Sequence, residues 1–217
     1  MNRSSTCNLF IVRHGESQGN AKGLWQGHKN YNLTKKGEQQ ALLTKQYLNT
    51  IHFDKLQASD LIRSIHTIKL ICNSSSKTIE IEPKWKELNF GHWEGKTTQE
   101  INHETDLLDF WYQNPTEAKI PGGETFLQLQ ARVIEAYNRL FDEIRTLAHA
   151  NVLLVAHGGT IRALGCYLVG IPLSNVWQLR VNHCSVTRIL VTNKKSTVVS
   201  WNHTSHLENI SCKHPVI

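Results

Sequence analysis

Two apolar runs in this chain are each followed by a histidine and then a glycine. The first covers residues 9–12 and leads through Arg13 to His14, and the second covers residues 151–156 and leads directly to His157. A short continuous apolar run indicates a buried strand, and the glycine indicates the turn that ends it. Ligands of open α/β sheets bind beyond the carboxyl ends of the strands. The pattern therefore predicts both histidines at the functional edge of a sheet.

Helical and extended patterns alternate along the rest of the chain. Predicted helices cover residues 34–49 with Thr34 as N-cap, a segment from Ser59 or Asp60 to about Cys72, residues 124–148, and a helix opened by His157 that runs through Leu168 before Gly170 and Pro172 stop it. Predicted strands cover residues 55–58, 78–82 as an edge strand, 185–192 and 197–201. This alternation predicts an α/β fold, a three-layer α/β/α domain with a mainly parallel central sheet.

The chain of 217 residues fits one domain, residues 1–217. Residues 84–123 mix tryptophan, glycine, proline and short helical pieces, which suits a capping insertion over a site. Residues 203–217 are polar and rich in histidine, so we expect a loosely held tail. The five cysteines are widely scattered and indicate buried free thiols, not disulfides or a zinc site.

The net charge of +6 favours a small anionic partner. Lysine and arginine are spread along the chain without the clustering typical of nucleic-acid binding, so we expect no nucleic-acid partner. No apolar run approaches the roughly 20 residues of a membrane span, and residues 9–12 are too few for a signal-peptide core. We expect a cytoplasmic protein without membrane contact, and a homodimer is left open.

The strand-end residues suit phosphoryl transfer, which needs a nucleophile and positive charge around the equatorial oxygens. A neutral His14 can act as the nucleophile if a backbone carbonyl, such as that of Gly15, holds its other ring nitrogen. Arg13 offers a bidentate fork to the same oxygens. Arg63, in the first turn of a predicted helix, can also reach the strand ends. The helix that begins after His157 offers backbone N–H groups to an anion.

Three further sites carry open alternatives. Glu87 lies in the aromatic-rich segment 85–95, where a carboxylic acid is poorly solvated and can protonate a leaving alkoxide. Glu94 competes for that role, and Glu87 is preferred. Asn20 is either a turn residue or an amide that contacts phosphate. Trp25 and Trp93 belong either to the mouth of the site or to the core, whereas Trp111, Trp177 and Trp201 are assigned to the core.

Together these residues resemble the histidine phosphatase superfamily, which includes the cofactor-dependent phosphoglycerate mutases. The resemblance covers nearly the whole chain, on the motifs Val12-Arg13-His14-Gly15-Glu16-Ser17, Asn32-Leu33-Thr34-Lys35-Lys36-Gly37, Ala58-Ser59-Asp60-Leu61-Ile62-Arg63-Ser64, Phe90-Gly91-His92-Trp93-Glu94-Gly95, Pro121-Gly122-Gly123-Glu124 and Ala156-His157-Gly158-Gly159. It implies a phosphoglycerate mutase-like fold and use of neither a metal nor another cofactor.

The resemblance also implies roles for individual residues. His14 would become phosphohistidine and Glu87 would be the proton donor. The resemblance assigns the phosphoryl group to Arg13, Arg63 and His157. With the candidates that the residues themselves indicate, the predicted phosphate-binding set is Arg13, His14, Asn20, Arg63, His157 and Gly158. No matching position is missing, which favours an active enzyme.

Within the superfamily the chain is more similar to α-ribazole phosphatases and broad-specificity phosphatases than to the mutases. Mutases carry a longer insertion between the acid and the second histidine, and the shorter segment here leaves the mouth open to water. We therefore expect a metal-independent phosphomonoesterase acting on a small phosphorylated metabolite, with α-ribazole 5′-phosphate as a candidate. The alternatives are a mutase dependent on 2,3-bisphosphoglycerate and a non-catalytic phosphate-binding module.

Overall fold

A computed structural model describes residues 6–72, 77–147, 149–208 and 210. A six-stranded sheet lies at its centre, with the strands in the order β3-β2-β4-β1-β5-β6. The strands are β1 (Thr6–Arg13), β2 (Lys55–Ala58), β3 (Ile79–Ile81), β4 (Asn151–Ala156), β5 (Val186–Thr192) and β6 (Ser196–His203). The first four strands in this order pair in parallel, whereas β5 runs antiparallel to both of its neighbours. The predicted mainly parallel sheet is confirmed.

The sheet register brings the two predicted histidines together. Strands β1 and β4 are parallel neighbours whose last pair is Arg13 with Ala156. The backbone N–H of His14 continues the ladder by donating to the carbonyl of Ala156 at 3.0 Å. Because both strands end at the same level, His14 and His157 leave the sheet side by side.

Helices cover both faces of the sheet. The helices are α1 (Gln18–Ala21), α2 (Lys35–Tyr47), α3 (Ile62–Cys72), α4 (Thr98–Glu104), α5 (Leu107–Gln113), α6 (Phe126–Ile144) and α7 (Gly158–Val169). On one face Leu9 and Ile11 pack in a core with α6 and α7, and on the other Phe10 and Val12 pack with α2 and α3. The period-2 alternation of β1 thus supplies both cores, which confirms the three-layer prediction.

Helix boundaries follow the predicted capping chemistry with one exception. Oγ1 of Thr34 accepts the N–H of Gly37 at the start of α2, and α7 ends at Gly170, whose φ of 71° is the left-handed conformation that glycine adopts readily. The prediction that Ser59 or Asp60 caps the next helix is wrong. Helix α3 begins at Ile62, whose N–H donates to Oδ1 of Asn30 at 3.0 Å.

The predicted loose tail is wrong for residues 203–208. His203 ends β6, Leu207 is buried, and the ring of His206 stacks on Tyr47 of α2 at 4.8 Å. Through His206 and Leu207 this segment packs against α2. Residues 209 and 211–217, including Cys212, lie outside the described residues, as do residues 1–5, 73–76 and 148.

The structure also bears on the expected free cysteines and on the expected lack of a membrane span. Cys7, Cys166 and Cys184 are buried free thiols, and Cys72 is a partly buried one. None of the helices in the described part of the chain combines the length and the apolarity that crossing a membrane requires.

Candidate active site

A pocket of about 210 Å³ opens beyond the carboxyl ends of β1 and β4. One side, the phosphate end, is formed by Arg13, His14, Arg63, His157 and Gly158. Four of these residues line the pocket, and the ring of His157 contacts that of His14. The other side, the aromatic end, is formed by Trp25, Phe90, Trp111, Phe126 and Trp177. Glu87 lines the pocket together with both groups.

His14 is arranged as a neutral nucleophile. Its ring is buried, and Nδ1 donates to the carbonyl of Gly15 at 2.7 Å, the acceptor predicted from the sequence. This bond places the ring proton on Nδ1 and leaves the lone pair on Nε2. Burial, followed by the positive charges of Arg63 and Arg13, holds the pKa of His14 well below its usual value. The ring is therefore neutral at pH 7, with its single proton on Nδ1.

Arg13 and Arg63 bring two buried positive charges to the phosphate end. Nη1 of Arg13 donates to the carbonyl of Val181 at 2.7 Å, and Arg63 donates to the carbonyls of Gly27 and Lys29 at 2.7 and 2.9 Å. Burial lowers the pKa of each guanidinium to about 10, so both remain charged at neutral pH.

The two arginines are only partly satisfied by the protein. In the part of the chain that the structure describes, Nε of Arg13 and Nε of Arg63 are buried without a hydrogen-bond partner. Buried charged groups are normally paired, so unpaired donors of this kind indicate a ligand with negative charge. The arrangement suits the oxygens of a phosphoryl group.

His157 is oriented by Ser59. Its Nε2 lies 2.6 Å from Oγ of Ser59, which also accepts the N–H of Leu61 at 3.4 Å. We assign the hydroxyl proton to the bond with Nε2, so Nδ1 carries the ring proton. Nδ1 is buried and has no partner among the described residues, and the ring centroid lies 5.1 Å from that of His14. His157 thus presents a further unpaired donor beside the nucleophile.

Glu87 is held at the N-terminus of α7. Its Oε1 accepts the N–H groups of Gly159 and Leu88 at 3.0 and 2.9 Å. A side chain at position 159 would collide with Oε1 of Glu87, so glycine permits this approach. The backbone carbonyl of Glu87 accepts from Nη2 of Arg132 at 2.8 Å and from Nε2 of His28 at 2.9 Å.

Arg132, which is not among the predicted residues, holds the segment that carries Glu87 in place. It donates to the carbonyls of Lys84, Lys86 and Glu87 and forms a bidentate pair with Glu124, with distances of 2.7–2.8 Å. Glu94 has a different place. Its Oε1 accepts the N–H groups of His28 and Phe90, so its carboxylate ties two loops together.

Of the remaining predicted residues, some line the pocket and one is buried outside its lining. Asn20 lines the pocket, and its Oδ1 accepts the N–H of Ser17 in a capping box at the start of α1. Trp25 lines the pocket, whereas Trp93 is buried beside it. Trp111 and Trp177, assigned only to the core, also line the pocket.

His183 is a third buried histidine at the phosphate end, and it was missed. Its ring centroid lies 5.7 Å from that of His14, and its Nε2 has no partner among the described residues. Burial, with Arg13 and His14 nearby, holds its pKa well below the usual value. The strand order was not predicted from the sequence, and the antiparallel pairing of β5 with β1, with Val186 opposite Val12, is what brings His183 near His14.

Comparisons with known proteins identify a family and relatives that are named as phosphatases. The model of the histidine phosphatase superfamily (branch 1) matches residues 9–204. An adenosylcobalamin/alpha-ribazole phosphatase of Escherichia coli is 30% identical over 88% of this chain and 93% of its own. Phosphoserine phosphatase 1 of Hydrogenobacter thermophilus is 30% identical over 92% and 93%. The structure of Bacillus stearothermophilus YhfR superposes with a TM-score of 0.87 at 28% identity, covering 93% and 100% of the two chains.

Proposed function

Because the chain belongs to branch 1 of the histidine phosphatase superfamily, we propose that it hydrolyses a small phosphorylated metabolite through a phosphohistidine on Nε2 of His14. The observation that carries this proposal is the state of His14. Its ring is neutral, and the ring proton on Nδ1 is donated to the carbonyl of Gly15. Donors of Arg13, Arg63 and His157 that have no partner among the described residues lie near the ring.

The first step transfers the phosphoryl group to the enzyme. The lone pair on Nε2 of His14 forms a bond to phosphorus while the bond from phosphorus to the ester oxygen breaks. A protonated Glu87 gives its proton to that oxygen, so the leaving group departs as an alcohol. The donors of Arg13, Arg63 and Nδ1 of His157 balance the charge on the equatorial oxygens.

The second step regenerates the enzyme. A water molecule attacks the phosphohistidine, the bond from Nε2 to phosphorus breaks, and the Glu87 carboxylate takes the proton of the water. Inorganic phosphate leaves and Glu87 is again protonated. In the structure the backbone N–H groups of Gly159 and Leu88 hold the Glu87 carboxylate in place at the pocket, where it can meet the ester oxygen in the first step and the water in the second.

The identity of the metabolite is a finer proposal. α-Ribazole 5′-phosphate is a candidate because the E. coli relative is named for it, and the aromatic end offers rings on which a flat base would stack. A phosphoglycerate mutase and a non-catalytic phosphate-binding module are the alternatives. Cytoplasmic localisation, a homodimer and independence of metal stay predictions from the sequence.

The deciding experiment is phosphate release from p-nitrophenyl phosphate and a metabolite panel between pH 5 and 8 in excess EDTA. We expect the wild type to release phosphate and His14→Ala to fall to background, because no neighbouring side chain replaces the nucleophile. His103→Ala, on the exposed surface of α4, is the matched control and should match the wild type. If no compound is hydrolysed, the proposal fails, and addition of 2,3-bisphosphoglycerate with phosphoglycerate then tests the mutase alternative.

A further inference from the structure

Arg162 is a third buried guanidinium in the pocket, and the proposed phosphoryl transfer does not use it. It lies in α7, is 9% exposed and lines the pocket. Its Nε donates to the carbonyl of Leu179 at 2.8 Å, and its Cζ lies 5.7 Å from the ring centroid of Trp177. A buried cation of this kind is costly to retain unless it has an anionic partner.

The position of Arg162 places it between the two ends of the pocket. A Cβ built on Gly158 would lie 3.1 Å from Nη1 of Arg162 and 3.5 Å from Cζ of Arg13. The two guanidiniums therefore flank Gly158, with Arg13 on the side of His14 and Arg162 on the side of Trp177. A group bound by Arg162 must be attached to the substrate only a few bonds away from the phosphate.

The aromatic side chains around Arg162 supply donors, and the one carboxylate among the residues lining the pocket, Glu87, accepts the backbone N–H groups of Gly159 and Leu88. The ring centroids of Trp111 and Trp177 lie 4.9 Å apart with the rings tilted, and the ring centroid of Tyr112 lies 5.6 Å from that of Trp177. Nε1 of both tryptophans and the hydroxyl of Tyr112 are buried, and none of these groups has a hydrogen-bond partner among the described residues. No carboxylate within the described ranges forms an ion pair with Arg162. The complementary ligand group is therefore an acceptor with negative charge.

We propose that Arg162 binds a carboxylate of the leaving group, so that the substrates are phosphate monoesters of short hydroxy acids and not α-ribazole 5′-phosphate, which carries no carboxylate. The inference rests on the proposed function, because it presumes that the phosphate is bound at His14. A planar guanidinium pairs with a carboxylate through two parallel hydrogen bonds, and the aromatic rings exclude water from that pair. A substrate without the carboxylate leaves Arg162 unpaired, and sites built in this way reject such analogues strongly.

Substrates that differ only in the carboxylate test this assignment. The pairs are O-phosphoserine with O-phosphoethanolamine, and 3-phosphoglycerate with glycerol 3-phosphate. For the wild type we expect kcat/KM to favour the acid of each pair by about 10²-fold or more. Arg162→Met should reduce that preference to within about 3-fold, and Arg162→Lys should keep part of it because the charge remains without the fork. Arg139→Met, which removes an exposed arginine paired with Glu82, should keep the wild-type ratio.

The ratio separates this role from a general loss of activity. Equal losses on both members of a pair in Arg162→Met would overturn the proposal and assign Arg162 to the phosphoryl group. A wild-type ratio near one would also overturn it. Calorimetric binding of the same pairs to His14→Ala does not depend on turnover. A preference for the acids there supports the carboxylate site even if the wild type hydrolyses nothing, a result that would refute the proposed function alone.

Discussion

The phosphate end and the aromatic end of the pocket are built in opposite ways. The phosphate end comes from residues at the ends of two adjacent strands together with Arg63 of α3, and it buries charged and polar atoms that lack partners in the described part of the chain. The aromatic end comes from separate loops and helices, and Trp25 packs edge to face with Phe90, Trp93 and Trp111 at 4.9–5.6 Å. One end is fixed by sheet register and the other by side-chain packing.

This difference assigns phosphoryl transfer to the phosphate end and substrate recognition to the aromatic end. The sheet register holds the nucleophile and its positive charges at fixed positions whatever the substrate carries. The packed rings and Arg162 meet the part of the substrate that varies. Changes at the phosphate end should therefore act on every substrate by the same factor, whereas changes that concern the leaving group should depend on its chemistry. Glu87 lies at the boundary, and it gives the largest test of this division.

Glu87→Gln should slow attack on alkyl phosphates by about 10² to 10⁴-fold, and it should slow p-nitrophenyl phosphate far less. An alkoxide needs a proton to leave, whereas p-nitrophenolate is stable without one. Single-turnover rates of phosphohistidine formation from both kinds of substrate measure the difference. Glu94→Gln is the matched control, since Glu94 ties His28 to Phe90 outside the pocket lining, and its effect should not depend on the leaving group. Equal losses on both substrates in Glu87→Gln would show that Glu87 does not donate the proton to the leaving group.

The two ends also differ in how far the sequence predicts them. Arg13, His14 and His157 were predictable because each follows an apolar run, and parallel neighbours bring such positions together. Trp177 was assigned to the core because an aromatic residue indicates burial but not whether the buried ring borders a cavity. Ser59 was interpreted as a helix cap because it stands just before a helix, whereas its partner is His157, which is distant in sequence. Contacts of this kind depend on the tertiary fold.

Ser59→Ala gives a smaller effect at the phosphate end. Without the hydroxyl the His157 ring loses the bond that places its proton on Nδ1, and one donor to the phosphoryl group is weakened. We expect kcat/KM to fall by about 10 to 10²-fold, by the same factor for alkyl and aryl phosphates.

Ser64→Ala is the control for Ser59→Ala. It deletes another buried hydroxyl, which donates to the carbonyl of Val155 at 2.6 Å and does not contact His157. It should lower stability and leave kcat/KM near that of the wild type. A loss in Ser59→Ala that varies with the leaving group would place His157 on the ester oxygen and break the proposed division.

The smallest expected effect is on the pH dependence of the free energy of unfolding, which reflects the buried neutral histidines at the phosphate end. Burial is the main cause that holds the pKa values of His14, His157 and His183 well below their usual values. The unfolded chain therefore takes up protons below about pH 6.5 that the folded protein does not, and stability falls as the pH decreases. Each neutral histidine adds up to about 1.4 kcal/mol per pH unit to this slope. Urea unfolding of His183→Gln between pH 7 and 5.5 should show a slope smaller by up to one proton, whereas exposed His103→Gln should keep the wild-type slope. An unchanged slope in His183→Gln would mean that His183 becomes charged within the folded protein, where Arg13, His14 and Lys36 all oppose it.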